Sequence, residues 1–401
     1  MIKLLWEGRF LTRERVRLWS LAILLATIVA IGWLALTAQG NSDYRGRPLG
    51  TDFSNVYAAG VLAREDHASQ AYDWPSHYAK EQAIFGKATP FYGWHYPPFF
   101  LILAEALSHL PYIPALILWQ GVTFLFYGLA LYALVRTTVA PGLTKDPLFA
   151  LLAFSFPACF VNLIHGQNGF LSAAIMMAGL ALLSLRPFCA GVVLGLLAYK
   201  PQFVLLLPFA LIGGRHWRAL IGLICSVAFL TIVATAVFGL SIWDAFLQSA
   251  HLSRTIVLEA GNTGFEKMQS VFAAARLLGA PVFLAYALQA LVLVIVLTAL
   301  VIVWRKPALQ EDKGALLVLA TTLSTPYCLD YDLVLLAPVI VLMSARGYAK
   351  GFQNGEILLL CALWLIPLAA RCIAGITHFS PAPFFMLAAF AFTFRKAQLA
   401  F

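Results

Sequence analysis

The chain contains 401 residues, of which 61% are hydrophobic and only 11% are charged, and its mean hydropathy is +0.84. A soluble globular domain carries about 25% charged residues, so this composition excludes an ordinary soluble protein. The formal net charge of +9 does not indicate a nucleic-acid partner, because the Lys and Arg residues lie between hydrophobic blocks, where they mark membrane topology.

The hydrophobic blocks predict helices. Many approach the roughly 17–25 residues that cross a hydrocarbon core, where the backbone must satisfy its own hydrogen bonds as a helix or a closed barrel. The block at 283–303 is apolar on every side, whereas a barrel strand would alternate. We therefore predict an all-α polytopic membrane protein that forms a single domain over residues 1–401. Its spans, about twelve in number, are 18–38, 113–135, 147–164, 168–185, 187–199, 201–213, 219–240, 282–304, 314–325, 331–344, 354–372 and 382–395.

A basic segment precedes the first span and sets the orientation. It carries Lys3, Arg9, Arg13, Arg15 and Arg17. A signal peptide also starts this way, but its apolar core is usually about 7–15 residues long, so a retained anchor is favoured. Placing this segment in the cytoplasm puts the larger share of Lys and Arg on the cytoplasmic side. Both termini are then cytoplasmic.

Two long stretches fall outside the membrane in this arrangement, at 39–112 and 241–281. The first contains helix-like pieces at 54–66 and 76–86. A third piece, 97–110, is short for a span and contains Glu105. If it crossed the membrane fully, every later basic loop would move to the extracytoplasmic side. We predict that it lies at the interface or re-enters without crossing. Long ordered loops are often functional, so the chemistry is expected on the extracytoplasmic face.

The sharpest local motif is GTDFSNVYAAGVLARE at 50–65, with Asp52 at the predicted start of an interfacial helix. Asp52 or Thr51 can serve as a helix N-cap. A catalytic role is compatible with capping, since a helix N-terminus stabilises an ionised carboxylate, which can then act as a general base.

Other polar residues cluster at the predicted outer ends of spans. FYGWHYPPFF at 91–100 is typical of an aromatic belt with a proline turn, although its rings could also stack on sugars. Lys200 could snorkel to lipid headgroups or bind a substrate phosphate as a point charge. The predicted substrate-binding residues are His95, Tyr96, Gln167, Asn168, Lys200, Gln202, Arg254, Asp330 and Asp332. The sequence has no CxxC, clustered histidines, P-loop or GxGxxG, so we predict no metal site and no cofactor.

The motifs and their order resemble glycosyltransferase family 87. They run from TDFSNVYAAG and HYPPF through HGQNG and GVVLGLLAYKPQ to the basic GGRHWRA and a late STPYCLDYD, and the resemblance covers residues 18–345. The resemblance implies a GT-C fold in a bacterial inner membrane. It further implies a polyprenyl-phosphate sugar donor, with mannose favoured over other hexoses or pentoses, and a glycolipid or glycan acceptor. Transfer would invert the anomeric carbon.

The resemblance also implies that the aspartate of the first outer loop is the general base, and this carries over to Asp52. Asp43 lies outside the motif. Some family members have histidine in the late motif, where this chain has Asp330 and Asp332, so the role of that segment is open and a second carboxylate could substitute.

Two other classes of function remain open at the sequence level. A transporter or lipid flippase would usually place its site at the membrane midplane, on broken helices within an internal repeat. No clear repeat is present, and the polar residues gather at one face. A glycan ligase or polymerase would share the large outer loop and the lipid-linked donor.

Overall fold

The structure is a computed structural model that describes residues 6–8 and 10–399. Lys3 and Arg9 of the basic segment lie outside the described residues. Within the described part of the chain the fold is α-helical, with short 3₁₀ turns, one π-helical segment and isolated β-bridges in place of strands. The all-α prediction is therefore confirmed.

The first half of the chain contains two long helices among many short ones. These helices are α1 (Arg13–Leu36), α2 (Phe53–Arg64), α3 (Trp74–Phe85), α4 (Pro98–Ser108), α5 (Tyr112–Arg136), α6 (Pro147–Phe154), α7 (Pro157–His165), α8 (Gly169–Leu182), α9 (Pro187–Gly195), α10 (Pro201–Val204) and α11 (Leu207–Gly213). Proline starts many of the short helices, because its missing N–H is tolerated in the first turn but breaks a helix interior.

Longer helices dominate the second half. They are α12 (Trp217–Phe238), α13 (Ser241–Leu252), α14 (Val271–Leu277), α15 (Val282–Arg305), α16 (Gln310–Ser324), α17 (Leu336–Lys350), α18 (Glu356–Thr377) and α19 (Ala382–Gln398). A π-helical segment, Ser253–Glu259, follows α13, and a 3₁₀ turn, Asp330–Leu335, leads into α17.

Six helical segments among the described residues are long and apolar enough to cross a membrane, and the bent pair α6–α7 would make a seventh. The six are α1, α5, α12, α15, Asp330–Lys350 and α18. The predicted count of twelve is thus not confirmed. Each predicted span does coincide with helix, but the segments at 168–185, 187–199 and 201–213 form shorter helices.

The helices predicted in the first outer loop are present as α2 and α3. The predicted non-crossing segment at 97–110 contains α4, whose 11 residues extend roughly 16 Å, about half of a hydrocarbon core. α4 packs against α2 at Gly60, where a Cβ atom would overlap the carbonyl group of Ala104. This close crossing holds in place the helix that directly follows Asp52.

The centre of the bundle is formed by α8 and α16. From Glu311 to Ser324 every residue of α16 is buried, whereas α1 buries only Ser20. Small residues let membrane helices approach closely. A Cβ atom added at Gly191 of α9 or at Gly222 of α12 would overlap backbone atoms of the other helix. This crossing fixes the direction in which the chain continues toward Lys200.

Replacing Gly60 with Leu is expected to separate α2 from α4, because the new side chain meets the backbone of Ala104. Overpacking of this kind typically costs about 1–3 kcal/mol or more. Thermal unfolding of the purified protein should show a lower midpoint. Gly121→Leu on α5 is the matched control, since nothing lies within 4 Å of a Cβ there, and an equal loss in both variants would contradict the account.

Candidate functional site

Asp52 lies directly before α2, but its side chain makes no capping hydrogen bond. Its backbone N–H donates to the carbonyl of His165 at 3.1 Å, and its Oδ2 accepts from Gln167 Nε2 at 2.9 Å. The capping alternative is therefore wrong. The Asp52 side chain is 22% exposed. Within the described residues its Oδ1 accepts no hydrogen bond, so this oxygen is free to take a proton.

The turn at 165–169, which connects α7 to α8, brings Gln167 to Asp52. Gly166 ends α7 in the left-handed conformation with φ +61°, and a Cβ there would lie 2.7 Å from Phe53 Cβ and 2.8 Å from the Gly50 carbonyl oxygen. On the other side of the turn, a Cβ at Gly169 would lie 2.7 Å from the Tyr331 carbonyl oxygen. Glycine is thus required twice for the turn to fit between the start of α2 and the late STPYCLDYD segment.

The Gln167 side chain is held in one orientation. Its Oε1 accepts from the backbone N–H of Asn168 at 3.1 Å and from the Tyr96 hydroxyl at 3.3 Å. The Gln167 carbonyl accepts from Gln120 Nε2 at 3.0 Å. Because Oε1 accepts both donors, the amide nitrogen faces Asp52 as a donor. Burial raises the pKa of Tyr96 well above its usual value, which keeps the phenol protonated as a donor.

His165 and Thr51 also belong to this cluster, and neither was predicted from the sequence as a site residue. Thr51 Oγ1 lies 2.9 Å from His165 Nδ1, and the same nitrogen lies 4.0 Å from Asp52 Oδ1. The signal was available, since both residues stand within the quoted motifs beside Asp52 and Gln167. They were not predicted because Thr51 and His165 come together only through the contact of their two motifs, which lie far apart in the chain.

Lys200 and Asp332 form a buried ion pair. Lys200 Nζ donates to Asp332 Oδ1 at 2.5 Å, and the two side chains are 5% and 2% exposed. Asp332 Oδ2 accepts from the backbone N–H of Leu329 at 3.1 Å. Lys200 therefore does not snorkel to the surface, and its charge is already compensated by a partner.

Asp330 lies between the Asp52 cluster and α18. Its Oδ1 accepts from the Tyr331 backbone N–H at 2.9 Å, and its Oδ2 lies 3.4 Å from Arg371 Nη1. The ring of the next residue, Tyr331, has its centroid 6.4 Å from that of His165. Arg371 was not identified from the sequence, because its partner stands some forty residues earlier in the chain.

His95 lies where the two long outer stretches meet. Its Nδ1 lies 2.7 Å from Ser253 Oγ, and the indole of Trp74 packs edge-on to its ring and donates to Ser249 Oγ at 3.1 Å. Burial lowers the pKa of His95 to about 4, with His77 acting in the same direction and the Asp52 charge opposing them. The imidazole is therefore neutral at neutral pH and is suited to a hydroxyl rather than to phosphate.

Two predicted residues, Arg254 and Gln202, stand apart from the Asp52 cluster, whereas Asn168 contacts Gln167 through its backbone N–H. Arg254 is 63% exposed and pairs with Glu259 at 2.8 Å. Gln202 is partly exposed and makes no hydrogen bond within the described residues. Asn168 is 2% exposed, and neither atom of its amide has a partner in the part of the chain that the structure describes. Across residues 6–8 and 10–399, no group of three His, Cys, Asp or Glu side chains is arranged to hold a metal ion.

Replacing Lys200 with Met should leave the Asp332 charge buried without a partner. Breaking a buried ion pair in this way costs about 3–5 kcal/mol, so the unfolding midpoint should fall sharply. Adding Asp332→Asn, which keeps an acceptor for the Leu329 N–H, should recover most of the loss. Lys80→Met breaks a more exposed pair with Glu65 and should cost at most about 1 kcal/mol. A K200M loss no larger than this control would disprove the structural role of the pair.

Comparison with known proteins gives one finding. The model of glycosyltransferase family 87 matches residues 94–329, which is more than half of the chain. The matched region contains Gln167 and Lys200, while Asp52 precedes it and Asp330 and Arg371 follow it. No curated protein and no solved structure matches the chain. The chain therefore belongs to glycosyltransferase family 87, and the family implies a glycosyltransferase.

Proposed function

We propose that the protein transfers a hexose or pentose from a polyprenyl-phosphate donor to a glycolipid or glycan acceptor, with inversion and with Asp52 as the general base. Mannose is the favoured sugar, because the resembling family includes a mannosyltransferase. The observation that carries the proposal is the state of the Asp52 carboxylate. One oxygen is fixed by Gln167, the other accepts no hydrogen bond within the described residues, and the side chain as a whole is partly exposed.

The proposed reaction proceeds in a single displacement. Asp52 Oδ1 accepts the proton of an acceptor hydroxyl, and the acceptor oxygen forms a bond to the anomeric carbon. The bond from that carbon to the donor phosphate oxygen breaks, and its electron pair stays on the polyprenyl phosphate. The attack comes from the face opposite the phosphate, as in inverting sugar chemistry generally. Phosphate is a good leaving group, so Asp52 is the one proton-transfer group required.

The fixed Gln167 amide supports this role. A base must point at the proton it removes, and misplacement by about 1 Å can cost roughly 10²-fold in rate. Gln167 Nε2 donates to the Asp52 carboxylate, and the Asp52 backbone N–H donates to the His165 carbonyl. The side chain and the backbone of Asp52 are therefore both held. The base is thereby oriented before any substrate arrives.

The surface where the two outer stretches meet fits a carbohydrate acceptor. Trp74 and Phe91 have ring centroids 5.3 Å apart, and the neutral His95 lies beside them. Aromatic faces provide apolar contact area for sugar rings, and a neutral imidazole can donate to or accept from a hydroxyl. The donor would approach from the membrane, since its prenyl chain is a lipid.

We further propose a multi-pass protein of the bacterial inner membrane, with both termini in the cytoplasm and Asp52 on the extracytoplasmic side. The larger share of Lys and Arg in the segments predicted to be cytoplasmic supports this orientation. A GT-C arrangement is part of the same proposal, motivated by the resemblance.

Cysteine labelling tests the orientation. In a background lacking the native cysteines, Arg45→Cys should react with a membrane-impermeant maleimide added to intact spheroplasts, and Gln310→Cys should react only after permeabilisation. Both residues are exposed, so accessibility alone does not separate them. Reaction of both from the same side would contradict the topology.

Asp52→Asn should abolish sugar transfer while the protein still folds and binds donor. Asn keeps the size of the side chain and can accept from Gln167, but it cannot take a proton. Loss of general-base catalysis is expected to lower kcat by about 10²–10⁴-fold, measured with a defined polyprenyl-phosphate sugar.

Asp244→Asn is the matched control, because Asp244 is an exposed carboxylate in the first turn of α13. It should transfer sugar at the rate of the unsubstituted protein. Near-normal turnover by the Asp52 variant would remove Asp52 from the mechanism.

A further inference from the structure

The proposed reaction needs a cation for the donor phosphate, and the cations expected from the sequence do not meet this need. Lys200 is buried in its pair with Asp332, Arg254 is paired with Glu259, and His95 is neutral. The departing phosphate gains negative charge, which a fixed cation would stabilise in the transition state. If the protein acts as proposed above, another cation must therefore lie near the site.

Arg371 is incompletely bonded in the structure. It lies in α18, one of the candidate spans, where an arginine is costly and usually marks a functional position. Its one hydrogen bond among the described residues is the 3.4 Å contact from Nη1 to Asp330 Oδ2. That distance is beyond the usual 2.7–3.2 Å range of protein hydrogen bonds. The rest of the guanidinium is available to a second, better acceptor.

Arg371 is also connected to the proposed base. Its partner Asp330 is only 7% exposed and directly precedes Tyr331, whose ring centroid lies 6.4 Å from that of His165 in the Asp52 cluster. The Arg371 side chain itself is 40% exposed. It therefore extends from the buried cluster toward the surface, where a ligand can reach it.

The surface next to Arg371 is apolar. Leu368 and Leu365 precede it on α18 at helical spacing and are 48% and 46% exposed. Residues three apart on a helix are neighbours, so these side chains form a stripe that leads from the guanidinium toward the middle of the predicted span. A cation at the end of an exposed apolar stripe is complementary to an anionic head on a hydrocarbon chain.

We propose that Arg371 binds the phosphate of the polyprenyl-phosphate donor, with the prenyl chain along Leu368 and Leu365. The planar guanidinium suits two phosphate oxygens at once. Asp330 is its partner when the site is empty and keeps the side chain directed at the cluster. Since the leaving phosphate carries more charge than the bound phosphodiester, Arg371 binds the transition state more strongly than the substrate.

Binding of radiolabelled decaprenyl phosphate to the full-length protein in phosphatidylcholine nanodiscs tests the proposal without requiring turnover. Arg371→Gln should weaken binding about 10- to 100-fold, the size expected for lost charged hydrogen bonds. Arg371→Lys should have an affinity between those of the unsubstituted protein and Arg371→Gln, because lysine keeps the charge but cannot bind two phosphate oxygens with a planar group. Arg45→Gln, which removes an exposed arginine from the first outer loop, should bind normally. Unchanged binding by Arg371→Gln would overturn the proposal.

A second variant separates ligand binding from a purely structural ion pair. Asp330→Asn removes the competing carboxylate, so decaprenyl phosphate should bind as tightly as before or more tightly. If the pair only stabilises the fold, Asp330→Asn and Arg371→Gln should weaken binding and lower the unfolding midpoint alike, and that result overturns the proposal. Should Arg371→Gln fail to fold, Arg371→Lys and Asp330→Asn still give the answer.

Two further outcomes are informative. If phosphatidylglycerol in the nanodisc displaces decaprenyl phosphate at comparable concentrations, Arg371 serves bulk lipid headgroups and the proposal is wrong. Binding that depends on Arg371 without any sugar transfer would contradict the proposed function and leave this inference standing. Sugar transfer whose donor KM and kcat are unaffected by Arg371→Gln would leave the proposed function standing and contradict this inference.

Discussion

The contact of the 165–169 turn with the start of α2 is the constraint on which the site depends. Gly166 fits against Phe53 and Gly50 because it has no side chain, and this fit places Gln167 within 2.9 Å of the Asp52 carboxylate. The same turn packs on the late segment through Gly169. Three distant parts of the sequence thus meet at one short loop, and the Asp52 carboxylate is left oriented, partly exposed and uncapped.

The helical architecture was largely predictable from the sequence, because hydropathy and proline positions act locally. The helices near 54–66 and 76–86 and the short segment at 97–110 were all found close to their expected positions. The number of membrane spans was not predictable, because a stretch such as 187–213 is apolar almost throughout but breaks into short helices near Lys200 and Pro201. Apolar composition alone does not distinguish such pieces from full crossings.

Side-chain pairing was much harder to predict. Asp52, Gln167 and Tyr96 were all named from the sequence, and the structure brings them together. Lys200 was expected to face either lipid or substrate, but it is paired with Asp332. The two residues of this pair stand more than a hundred positions apart and leave no periodic signal. Arg371 and His165 were not recognised either, because each contacts a partner outside its own sequence motif.

The anomeric configuration of the product tests the central claim most directly. The purified protein would be incubated with a polyprenyl-phosphate mannose labelled with ¹³C at the anomeric carbon, together with a lipid extract as acceptor, and the product followed by NMR. The account predicts a new glycosidic bond of configuration opposite to that of the donor. Retention of configuration, or movement of intact donor across the membrane without bond cleavage, would contradict it.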